Sequence, residues 1–206
     1  MNFTQNQQEQ APGRLLPAGA CDCHAHVYGP FDQFPLAASA PFQPPLAQVE
    51  ALEGLWRAFG ITRGMLIQGS AYGEDHRALL AAIRRDQQNR RGVALVDPAT
   101  PDTALKHLHA NGVCGARINF VRHLSRKSFD EAVCWQLVRR IEPFGWHLEL
   151  HVDSADLERI QGLLAHIAPD DLSRTRLLAD NPARLYGFSP PVREAPPRDP
   201  SKLTCN

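Results

Sequence analysis

Cys21-Asp22-Cys23-His24-Ala25-His26-Val27-Tyr28 is the stretch on which the reading of this chain turns. In an extended backbone successive side chains alternate faces, so His24 and His26 share one face and Cys21 and Cys23 take the other. Two imidazoles on one face at the end of a strand form a natural pair of ligands for a divalent ion such as zinc. The same alternation puts the thiols behind the sheet and argues against a mixed Cys/His cluster. An isolated H-x-H is equally compatible with two histidines that merely decorate a strand end.

Outward from this strand, short apolar runs alternate with helical ones. Further strands are expected at Gly64–Gly69, Gly92–Val96, Ala116–Phe120 and His147–Val152, and helices at Leu46–Phe59, Glu74–Asn89, Pro101–Asn111, Phe129–Glu142 and Ala155–Ile167. Ser128 stands three residues before Glu131, the spacing of a capping box. Thr100-Pro101 offers an N-cap followed by a first-turn proline. Gly60, Gly112 and Gly145 fall where helices should stop. Strands separated by helices call for an α/β fold with a parallel sheet and right-handed crossovers. At this level the sheet is either open or closed.

Residues 1–19 are polar and Gln-rich and read as a disordered arm; residues 189–206 read as a Pro-rich disordered tail, leaving a folded domain over 20–188. Asp170–Gly187 reads as two short helices, the second capped by Asn181, opened by Pro182 and closed by Gly187. The chain has 22 Lys plus Arg against 22 Asp plus Glu, so no global field steers it toward nucleic acid or an anionic membrane. No apolar run approaches the roughly 18 residues of a membrane span. The N-terminus lacks the apolar core of a secretory signal, and five scattered Cys then read as reduced thiols in a cytoplasm. Arg84-Arg85 and Arg90-Arg91 are expected on a solvated face, His107 and His109 on a surface helix, and Cys114 and Cys134 as small buried hydrophobes.

The block D-C-H-A-H-V-Y-G-P resembles the start of the amidohydrolase superfamily, in the branch of the 2-pyrone-4,6-dicarboxylate lactonases and related lactone hydrolases. Four more blocks continue the resemblance in order: Leu66–Gly73, Gly115–Phe120, Gly145–His151 and Asp180–Phe188. The resemblance implies a TIM-type (β/α) barrel with its site at the C-terminal ends of the strands. By resemblance His24 and His26 are metal ligands, zinc being the expected ion, or catalytic and orienting groups where no metal is used. Ser70 and Arg117 would hold the carboxylates of a small carboxylated substrate. Arg117 also has a physical case of its own, since a guanidinium in a barrel mouth requires an anionic partner. A neighbouring structural acid would serve as well as a ligand. Two positions depart from the lactonases: His123 stands where they carry a further basic side chain after the Arg117 strand, and His151 where they carry a tyrosine. His151 shares its face with Glu149 and His147, either as a third mouth histidine or as a hydrogen-bonded core residue.

A complete barrel takes roughly 250 residues. Here Gln161–His166 runs directly into what resembles the last helix of the family, so strands six to eight are expected to be missing and the barrel to be incomplete, about five strands plus the C-terminal helix. Those strands would carry a sixth-strand histidine and the eighth-strand aspartate that acts as general base, and no G-T-D-W or D-H-x-G block occurs in the sequence. Hydrolysis needs a base within reach of the attacking water. The expected function is therefore a hydrolase of a small carboxylated cyclic ester with impaired activity. The alternatives are a non-catalytic remnant that binds a ligand or metal, and a half-barrel closed by a second copy as a homo-oligomer. An open sheet should also expose an apolar patch on its inner face.

Overall fold

In the computed structural model the described residues are Leu16, residues 19–124 and residues 129–163. The chain divides into two compact units, Met1–Leu157 and Glu158–Asn206. The first unit runs β1 (Cys21–Ala25), α1 (Val49–Phe59), β2 (Arg63–Ile67), α2 (Arg77–Arg84), β3 (Arg90–Leu95), α3 (Asp102–Ala110), β4 (Val113–Asn119), α4 (Glu131–Ile141) and β5 (His147–His151). The five strands form one parallel sheet in chain order, each neighbouring pair joined through a helix. The sheet curls into half a TIM-type barrel: His24 on β1 and Glu149 on β5, at its opposite edges, come within 4.0 Å. Among the described residues β1 and β5 are each paired on one side only. In the second unit, residues 161–163 are helical.

Helices cover the outer face. Leu79, Ile83, Leu105, Leu108, Leu137 and Ile141 from the helices and Leu66, Val93, Ala94 and Ala116 from the strands are all buried. Trp56 of α1 shows how closely the layers meet. A Cβ on Gly64 would lie 2.0 Å from its ring, so only glycine fits on β2 beneath it. The Trp56 indole N–H donates to Asp22 Oδ2 at 2.8 Å, which satisfies the polar edge of a buried aromatic. Gly60 ends α1 at φ +75°, a left-handed cap that an L side chain rarely adopts.

Several expected boundaries shift. β1 stops at Ala25, three residues short of Tyr28, and Tyr28 instead forms an isolated antiparallel bridge with Ala47. α2 covers only the middle of Glu74–Asn89, because residues 70–76 turn tightly after β2. α3 begins at Asp102 with Pro101 in the N-cap position, and the Thr100 hydroxyl accepts from the Asp97 N–H instead of capping. α4 is capped by Asp130, whose carboxylate accepts from the N–H groups of Ala132 and Val133; Ser128 lies outside the described residues. A short 3-10 turn over Ser154–Asp156 stands where the fifth helix was expected to start. The N-terminal arm apart from Leu16 and Gly19, the helices expected over Asp170–Gly187, the Pro-rich tail and most of the junction near Pro169 also lie outside the described residues.

One surface reading changes, that of Arg90. Cys21 and Cys23 are exposed, the Cys23 thiol donating to the Cys21 carbonyl, and the β1–β2 register slips between Asp22 and Ala25. Arg90 is buried, donating to Glu53 and to the Ala82 carbonyl while its guanidinium sits over the Trp56 ring. Arg84, Arg85 and Arg91 are exposed as expected, and Arg85 makes a two-point pair with Glu53. Large exposed hydrophobics such as Phe42, Leu46 and Leu55 lie in the loop after β1 and on α1, and none lies on a strand. Met65, Leu95, Leu148 and Leu150 on the strands are half-buried. No described helix is long and apolar enough to cross a membrane.

Candidate active site

The inward groups gather at the C-terminal ends of the strands. His24 and His26 lie with ring centroids 5.1 Å apart, edge to face. The His26 Nδ1 sits 2.8 Å from the Ile67 carbonyl oxygen. A nitrogen facing a carbonyl must carry the proton, so Nε2 keeps the lone pair. Burial pushes the His26 pKa down, and the nearby charges of His24 and Arg117 push the same way. His26 is therefore a neutral imidazole with a free lone pair, suited to accept a proton or to ligate a metal.

Arg117 and Glu149 are direct partners across β4 and β5. The Arg117 Nε lies 3.3 Å from Glu149 Oε1, and the same oxygen lies 4.0 Å from His24 Nδ1. Arg117 is 7% exposed, and its Nε makes no hydrogen bond despite being buried. The guanidinium is thus held by charge, with a donor still unsatisfied. Of the two partners that the sequence left open, the structural acid is present, and Arg117 also lines a cavity of about 300 Å³ with Ser70, Asn119, Glu74 and Asp97.

Ser70 opens the tight turn after β2, beyond the strand on which it was expected, and its hydroxyl accepts from the Asn119 amide at 2.8 Å. Asn119 also accepts from the Val121 N–H, which fixes its amide at the end of β4. His151 ends β5 opposite Asn119; burial lowers its pKa, with Arg117, His123 and His24 adding to the effect. His123 is exposed on the loop after β4, close enough to act electrostatically on His151. Asp22 is engaged with Trp56 and Asp153 with Arg122, while Glu74 and Asp97 line the cavity with Arg117. Strand alternation from Arg117 could have picked out Asn119 two residues on, and the neighbouring register could have picked out Glu149.

A family model described as amidohydrolase matches residues 21–168. The chain belongs to the amidohydrolase family. Within this hydrolase family it is 34% identical over 167 residues to the 2-pyrone-4,6-dicarboxylate hydrolase of Comamonas testosteroni, an alignment spanning 75% of this chain and 54% of that one. A 4-sulfomuconolactone hydrolase from Hydrogenophaga intermedia is 26% identical over 153 residues, covering 74% of this chain and 50% of the relative. The crystal structure of a probable 2-pyrone-4,6-dicarboxylic acid hydrolase from Acinetobacter baumannii, with citric acid bound, superposes with a TM-score of 0.62 at 27% identity, over 71% of this chain and 54% of that one. The chain spans about half the length of the curated relatives it matches. These amidohydrolase relatives bear lactone-hydrolase names, the chemistry expected from the five sequence blocks.

Metal ligation needs at least three protein donors for a catalytic zinc site. Among the described residues no group of three His, Cys, Asp or Glu could hold an ion. The two imidazoles do not complete such a site by themselves.

Proposed function

We propose that this mouth binds a small carboxylated lactone, of the 2-pyrone-4,6-dicarboxylate type, and hydrolyses it slowly. The observation that carries the reading is Arg117: a buried guanidinium with an unbonded Nε, which lines a cavity with Ser70 and Asn119 and also acts electrostatically on His26. Arg117 would take one substrate carboxylate on its terminal nitrogens, with the Ser70–Asn119 pair beside it, and His123 and His151 would face a second anionic group. Water adds to the ring carbonyl carbon while His26 Nε2 takes its proton. The ring C–O bond then breaks, and the departing enolate oxygen takes back the proton held on His26 Nε2. His24, 4.0 Å from Glu149, would hydrogen-bond the carbonyl oxygen.

Turnover should be low. The aspartate blocks by which the family activates water do not occur in this sequence, and a positioned general base is worth about 10²–10⁴-fold in rate. A second reading, a ligand-binding half-barrel that self-associates, draws on the one-sided pairing of β1 and β5. Light scattering separates the two by mass. The catalytic reading is tested by following ring opening of 2-pyrone-4,6-dicarboxylate by its ultraviolet absorbance. Slow, saturable hydrolysis lost in His26→Ala supports it, and equal rates with and without His26 refute it.

A further inference from the structure

We infer that Glu149 is the residue that sets the anion selectivity of this mouth: it is an internal counter-ion competing with an incoming carboxylate for Arg117. The inference rests on the reading of Arg117 as a carboxylate anchor. Its basis is geometric. β4–β5 pairing sets Glu149 directly opposite Arg117, so its carboxylate is delivered to the guanidinium by the backbone. Its Oε1 lies 3.3 Å from Arg117 Nε, yet that Nε has no hydrogen bond. The contact is a charge pair without the aligned fork of a strong Arg–carboxylate bond.

Such a pair does two opposing things. It compensates a cation that is 7% exposed and would otherwise be costly to bury. It also places a negative charge about one side-chain length from any carboxylate that binds the same guanidinium, where it repels the ligand. Of the other acids, Asp22 is turned to Trp56, Asp153 to Arg122 and Asp97 to the Ala99 N–H, while Glu74, which lines the Arg117 cavity, is exposed to solvent. The remaining neighbours, His24 and His151, are imidazoles. Glu149 therefore trades anion affinity for a stable empty site, and it favours ligands that meet Arg117 with a single carboxylate over those that crowd several charges there.

The test is calorimetric titration with benzene-1,3-dicarboxylate, a planar dicarboxylate that cannot be hydrolysed. Glu149→Gln keeps the shape and removes the charge, so Kd should fall about tenfold, the size expected for deleting one nearby charge at an intermediate effective dielectric. The gain should vanish in the Glu149→Gln/Arg117→Ala double variant. Unchanged or weaker binding in a folded Glu149→Gln protein overturns the proposal, as does a gain that survives loss of Arg117. A purely structural partner would lower stability without tightening Kd. Should Glu149→Gln fail to fold, Glu149→Asp draws the carboxylate back by one methylene, and about threefold tighter binding is expected; no change overturns the inference. Equal binding by the parent chain and Arg117→Ala would instead refute the anchor reading itself.

Discussion

Glu53→Gln should cost the fold about 2 kcal/mol, and the structure supplies the sum. Glu53 receives two hydrogen bonds from Arg85, at 2.7 and 2.8 Å, and one from Arg90 at 2.7 Å. The Arg85 side chain is 42% exposed, so its pair is worth about 0.5–1 kcal/mol. Arg90 is 8% exposed and also bonds the Ala82 carbonyl beneath the Trp56 ring. Leaving that buried cation without its carboxylate costs about 2–3 kcal/mol, of which a glutamine oxygen recovers about 1. Equilibrium urea unfolding, followed by far-ultraviolet circular dichroism, should show the midpoint falling by about 1 M for a slope near 2 kcal/mol/M. The pH dependence adds a second check. The hydrogen bonds of Arg85, then those of Arg90, hold the Glu53 carboxyl down to about 2 from its ordinary 4.5. Its contribution is thus complete above 4.5 and is lost as pH falls toward 2. The difference between parent and variant should close over that window. A midpoint shift below about 0.2 M, or a gap that stays constant into acid, would refute the reasoning.

The remaining expectations concern histidine, the anchor and the metal. His76 is half-buried, bonds the Leu95 carbonyl at 2.9 Å, and has its pKa lowered below 6.5 chiefly by burial. The unfolded chain takes that proton first, so stability is full above 6.5 and falls as pH drops below it. His76→Gln should flatten this part of the Tm profile, and an unchanged slope would count against it. Arg117→Lys should weaken dicarboxylate binding about ten- to hundredfold in the same calorimetric titration, because an ammonium lacks the guanidinium fork. Zinc added and then dialysed should remain at well under one equivalent by elemental analysis; stoichiometric, dialysis-resistant zinc would point to His151 as a third ligand.

Much of this molecule was legible in its residues. The five strands and four of the helices follow from apolar runs, glycines and spacing, because parallel strands buried under helices leave that pattern, while the barrel arrangement came from the family resemblance. Boundaries were less legible where loops do the work. Tyr28 left β1 to pair with Ala47, a bridge that depends on a distant segment. Arg90 looked solvated because a burial that depends on Glu53 and Trp56 cannot be read from Arg90 and its chain neighbours alone. Alternation put His24 and His26 together, and their rings meet edge to face. In the site, Ser70 and Arg117 line one cavity, and His24 and Arg117 both lie close to Glu149. Asn119 and Glu149 were missed because their importance arises from cross-strand register, which sequence spacing only hints at.

The most direct test of the proposed mouth is nuclear magnetic resonance of the chain labelled at histidine, titrated with 2-pyrone-4,6-dicarboxylate. His24, His26 and His151 ring signals should shift together and saturate at one ligand concentration, while His107 and His109 on α3 stay fixed. Shifts confined to α3, or no shifts at saturating ligand, would contradict the assignment of the site.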